Sequence, residues 1–122
     1  MAAYRLAWED REGYLHASIS GDRDSFDVTR GAVMEIAKVC REMKATKLLV
    51  EHDVDGALTS TEVYNIGRQL PVLFRGVQVA FVVHHPTVRV NPAFLELVAR
   101  NRGANGRLFE TVEEAGRWLR ET

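Results

Sequence analysis

The chain predicts an α/β fold, a mainly parallel mixed sheet with helices on both faces. Short apolar or alternating runs recur between longer stretches whose apolar residues follow a helical period. The connections between them are short and carry capping or turn residues. A polar turn, Asp10-Arg11-Glu12-Gly13, joins the first two strand-like runs, so an antiparallel pair precedes the alternating part. A length of 122 residues with no linker, repeat or low-complexity tract suits one domain, 1–122.

Tyr4–Trp8 alternates, and Tyr14–Ser20 does so again. Leu15, Ala17 and Ile19 fall on one face; Tyr14, His16 and Ser18 fall on the other, an interface or, more commonly for such a pattern, a wet sheet face. Gly21-Asp22 breaks the strand, and Asp24 or Asp27 then caps a helix. Ala32, Ile36, Cys40 and Met43 form its apolar stripe, widened by Val33 and Val39, while Arg41 and Lys44 suit its C-terminal dipole. Lys47–Val50 is a short apolar strand without clean alternation, the pattern of a parallel strand covered on both faces.

Glu51–Leu58 reads as a polar loop. Thr59-Ser60-Thr61-Glu62 is a capping box opening a helix with Val63, Ile66 and Leu70, which ends or kinks at Pro71 before Gly76. Gln78–Val83 reads as a buried strand, stopped by His84-His85-Pro86. Asn91-Pro92 starts a helix that runs to Arg102, and Gly103–Gly106 turns the chain into a last strand, Arg107–Phe109. Thr111-Val112-Glu113-Glu114 is a second capping box, and Ala115, Trp118 and Leu119 face inward from its helix. The order is β-β-α-β-α-β-α-β-α, which short right-handed crossovers fold into such a sheet.

Composition removes several function classes. Sixteen basic against 17 acidic residues, a net charge of -1, leave no basic face for nucleic acid. A single cysteine excludes an internal disulfide and a cysteine-built zinc site, and Cys40 reads as a small core residue rather than a nucleophile. The longest apolar run, Val79–Val83, is far short of the roughly 20 residues of a membrane helix. The charged start of the chain lacks a signal-peptide core, so cytoplasmic residence is expected.

Ligands of open α/β sheets gather outside the carboxyl ends of the strands. Two turns at that position are unusually polar. One follows the Lys47–Val50 strand and carries Glu51, His52, Asp53 and Asp55 towards Thr59 and Ser60; the other carries His84 and His85. If Val50 and Val83 leave adjoining strands, His52, Asp53, one of the two later histidines and the Thr59/Ser60 hydroxyls converge. Histidine with carboxylate is the usual equipment of acid–base or metal chemistry, although no metal-ligand spacing is present. Four acids and no base between Glu51 and Glu62 disfavour a phosphate ligand, each carboxylate opposing it by about 0.7 kcal/mol at a separation of roughly 6 Å in water. No cofactor motif is present, and none is expected.

The leading strand pair, the Leu48-Leu49-Val50-Glu51-His52-Asp53 strand exit and the ending Thr111, Glu114, Ala115, Trp118, Leu119 resemble the SpoIIAA-like group of STAS domains, the anti-sigma-factor-antagonist fold, which is related to the lipid-binding CRAL-TRIO fold. The resemblance implies a small bacterial cytoplasmic module that acts through protein or ligand contacts without catalysis. It also implies that Thr59 or Ser60 occupies the place of the phosphorylated serine, although the D-x-S-G signature is missing and Asp53 and Asp55 oppose a phosphoryl group. The expected partner is a protein or a small apolar ligand, and the exposed Tyr4–Trp8 edge fits a homodimer. Two rival readings are a metal-dependent or acid–base enzyme using His52, Asp53 and His84 or His85, and a carrier of lipid or acyl ligands.

Overall fold

Gly13, at φ +90°, turns the chain between β1 (Arg5–Arg11) and β2 (Tyr14–Gly21), which pair antiparallel along their whole length. Only glycine takes that backbone conformation without steric cost. The computed structural model describes residues 4–21, 26–54, 60–84 and 105–122. Beyond the hairpin come α1 (Phe26–Met43), β3 (Lys47–Val54), α2 (Ser60–Gly67) and the single turn α3 (Leu70–Leu73). The chain continues through β4 (Gln78–Val83), β5 (Gly106–Phe109) and α4 (Val112–Glu121).

The fold is α/β, with a five-stranded mixed sheet in the order β1-β2-β3-β4-β5, parallel from β2 onward. Its two faces are built differently. Leu15, Ala17, Leu48, Val50 and Val79 pack with Ile36 and Cys40 of α1, Ile66 of α2 and Leu70 of α3. Leu49, Ala80 and Val82 on the opposite face pack under Ala115 and Leu119 of α4. Ile36, Leu48, Leu49 and Leu119 are fully buried, each contributing about 1.5–3 kcal/mol of hydrophobic stabilisation.

Helix ends follow their local chemistry. Thr111 caps α4, its Oγ1 accepting from the Glu114 N–H at 3.1 Å while its hydroxyl donates to the Glu114 carboxylate at 3.1 Å. Phe109 and Trp118 then stack tilted across the strand–helix junction, with ring centroids 5.4 Å apart. Lys44 closes α1 in the left-handed region at φ +56°, and the next N–H, of Ala45, donates to Cys40 O.

Four elements differ from the sequence expectation. β3 does not stop at Val50; it runs to Val54, so Glu51, His52 and Asp53 are strand residues. Pairing with β4 as far as His52, and with β2 as far as Val54, satisfies the backbone there, which overrides the local polarity. Pro71 does not merely end a helix: α2 stops at Gly67 and Pro71 sits in the first turn of α3, where its missing N–H has no partner to lose. Met43 is 51% exposed, because the stripe of α1 has rotated off the sheet by its last residue. The Tyr14–His16 face is buried, not wet, because α4 packs on that side.

Asp24, Asp55, Thr59, His85 and the helix expected from Asn91 to Arg102 lie outside the described residues, as does most of the turn before β5. Among the described residues, no helix is long and apolar enough to cross a membrane.

Candidate functional site

A strand's side chains alternate between faces, so register decides which polar residues meet. On β3, Leu49 shares the α4 face with Glu51, whereas Leu48, Val50 and Val54 define the α1 face. Ser18 and Val82 flank Glu51 in register. His16 stands one pleat back along β2, and His84 one pleat beyond Val82. All three polar groups thereby lie on the same face, in a row that runs from His16, near the start of β2, through Glu51 in the middle of β3 to His84, just past the carboxyl end of β4.

The Glu51 carboxylate is held from both sides. Oε1 lies 2.9 Å from His16 Nε2, and Oε2 lies 2.5 Å from His84 Nε2. The Ser18 hydroxyl adds a long contact to Oε1 at 3.5 Å. Exposure rises along the row: the side chains of His16, Glu51 and His84 are 8%, 23% and 40% accessible. Burial pushes the Glu51 carboxyl upward, but the hydrogen bonds and charges of His84 and His16 outweigh it and hold the group below the usual carboxylate range. An ionised Glu51 accepts from both rings, which fixes each imidazole as a proton donor through Nε2. His16 Nδ1 is buried with no hydrogen-bond partner among the described residues.

The predicted residues separate on this frame. His84 reaches the cluster. His52 stands at the same rim, its carbonyl accepting the His84 N–H at 2.9 Å, but its side chain shares the α1 face with Val50 and Val54. Asp53 is exposed near the end of β3, opposite Ser20. Ser60 is the first residue of α2, while Asp55, Thr59 and His85 lie outside the described residues. The sequence reading missed His16, assigned to a wet face, and Glu51, assigned to a loop. A signal for the second was available: Leu48, Val50 and Val54 keep strand parity across the polar residues between them.

Chemically, the arrangement fixes a half-exposed imidazole at the rim against an ionised carboxylate whose two oxygens are both engaged. Among the described residues, no three His, Cys, Asp or Glu side chains are grouped so as to hold a metal ion. The apolar space between Leu70, Phe74, Val79 and Phe81 is about 10 Å³, room for no more than one water. A larger groove, about 640 Å³, lies at the opposite rim beside α3 and is lined by Lys47, Pro71, Val72 and Arg75. Within it Val72 is 69% exposed, whereas Phe74 is buried in the core.

No protein-family model matches the chain, and the comparison with curated proteins finds no match.

Proposed function

We propose that the chain is a STAS-like, non-catalytic binding module whose recognition centre is His84, at the carboxyl rim of β4, backed by Glu51 and His16 on the same sheet face. One observation supports this reading: each oxygen of Glu51 is engaged by an imidazole nitrogen, so the carboxylate anchors His84 at the rim. His84, the most exposed of the three, is the group a partner would touch. The resemblance in the strand pair, the β3 exit and the Thr111–Leu119 ending supports a module that works by contact with a protein or small ligand.

A second reading is favoured by the same contact. A carboxylate-oriented imidazole is the arrangement of a general base, with Glu51 in the orienting role and His84 in contact with substrate. His84→Ala separates the two. As a binding module, the protein captures a partner from cell extract that the variant fails to retain, and titration of the purified partner reproduces the difference. As an acid–base enzyme, it hydrolyses p-nitrophenyl acetate faster than free imidazole, and the variant loses that rate. Millimolar zinc or manganese leaves the melting temperature unchanged in the first case, and stabilisation by metal overturns it.

A further inference from the structure

We propose that the chain forms a symmetric homodimer in which β1 pairs antiparallel with β1 of a second copy, with Ala7 opposite the partner's Ala7.

β1 is seven residues long and stands at the end of the sheet, and among the described residues only β2 pairs with it. An unpaired edge of that length is a template for another strand. It is also exposed: Trp8 is 37% accessible, and a groove of about 510 Å³ runs between Leu6 and Trp8 of β1 and Glu35 and Val39 of α1.

Symmetry and charge select the occupant and its register. Leu6, Trp8 and Asp10 oppose Ile19, Ala17 and Leu15 and so share the α1 face; Arg5, Ala7, Glu9 and Arg11 lie on the other. A two-fold axis perpendicular to the sheet must cross each strand opposite its own copy, because only then do paired residues share a face. Centring on Trp8 sets Arg5 against the partner's Arg11, twice, which is repulsive. Centring on Leu6 limits the ladder to Tyr4–Trp8 within the described residues and joins no opposite charges. Centring on Ala7 sets Arg5 against the partner's Glu9, twice, and Leu6 against the partner's Trp8, twice.

Glu9 is already 3.0 Å from Arg11, so its carboxylate would stand between Arg11 and the partner's Arg5. Opposite charges and aromatic–aliphatic pairs at directly facing positions are what stabilise an antiparallel ladder. Centring on Glu9 or Asp10 sets a carboxylate against its own copy and uses only the end of the strand, so the Ala7 register is the self-complementary one, which argues for a second copy over an unrelated strand.

Sedimentation equilibrium tests the proposal on the full chain, whose monomer is 13.8 kDa. The wild type is expected to reach twice that mass at about 100 µM, well above a micromolar dissociation constant. Glu9→Arg and Arg5→Glu each weaken the dimer roughly 10- to 100-fold by placing like charges together, and the double exchange restores it to within about threefold. Ala7→Cys provides a readout that does not depend on those charges. Facing strand residues have Cα atoms about 4.5–5.5 Å apart, within disulfide range, so oxidation links this variant into a covalent dimer while Glu9→Cys stays monomeric on a denaturing gel. A monomeric wild type, indifference to the single charge reversals, failure of the exchange to rescue, or absence of the Ala7→Cys link each overturns the proposal.

Discussion

The His84 N–H donates to the His52 carbonyl at 2.9 Å, yet the two imidazoles belong to opposite faces of the sheet. His52 is in register with Val83, and His84 is the next residue along, so one step of the pleat divides them. Two histidines adjacent at one rim therefore serve different surfaces. His84 closes over Glu51 on the α4 face, while His52 lies on the α1 face with Val50 and Val54.

Glu51 and His84 differ in what they leave behind when removed. Glu51→Ala takes the partner from Nε2 of His16, whose ring is 8% exposed and whose other nitrogen has no hydrogen bond among the described residues. A buried polar group stranded in this way costs about 1–3 kcal/mol. His84→Ala removes a ring that is 40% exposed, and a contact at that exposure is worth about 0–1 kcal/mol. Urea unfolding of both variants is expected to show the larger loss for Glu51→Ala, and equal losses would contradict the burial gradient.

Acid gives a second test of the same carboxylate. Glu51 is held below the ordinary glutamate range, so the folded state binds fewer protons than the unfolded state as that range is crossed. Its stabilisation is fully present above about pH 4.3, the unfolded value, and is lost as pH falls through the lower folded value. The stability difference between wild type and Glu51→Gln, measured by urea unfolding at stepped pH, is expected to narrow below about pH 4.3. A difference that widens with acid would mean that burial outweighs the imidazole contacts.

The α/β class was legible because several of its elements rest on local signals: the Gly13 turn, the Thr111–Glu114 cap, the apolar run of β4. The candidate site was legible only in part. His84 was visible as the polar end of an apolar strand, but His16 precedes Glu51 by 35 residues and Glu51 precedes His84 by 33. Only the β2–β3–β4 register puts the three on one face, and register is a tertiary property. Glu51 was misassigned because a polar run looks like a loop when its neighbours are ignored. His16 was misassigned because the helix covering its face, α4, begins almost a hundred residues later.

Cys40 offers a reactivity test of the packing beneath α1. It is 2% exposed, and burial pushes its thiol up to about 11, the neighbouring Arg41 lowering it only in part. At pH 8 the thiolate is then about one part in a thousand, and the thiolate is the reacting form. A chromogenic disulfide reagent should leave the native protein unmodified and label one thiol per chain as urea unfolds it. Rapid labelling without denaturant would show that α1 opens from the sheet on its own.

Gly116 and Tyr14 couple α4 to β2. Replacing glycine by alanine inside a helix ordinarily adds about 0.5–1 kcal/mol of stability. Here a Cβ on Gly116 would stand 2.8 Å from the Tyr14 hydroxyl oxygen, closer than such atoms approach. Tyr14 is 7% exposed and its ring lies under the Arg120 guanidinium at 5.9 Å, so it has little room to turn aside. Overpacking of that kind costs about 1–3 kcal/mol, so Gly116→Ala is expected to destabilise by roughly 1 kcal/mol after the helical gain. In the Tyr14→Phe background the obstructing oxygen is gone, and the same substitution should be neutral or stabilising. A double-mutant cycle by urea unfolding then yields a coupling of about 1–2 kcal/mol. If the glycine substitution has the same effect in both backgrounds, the close approach of α4 to β2 at this point is wrong.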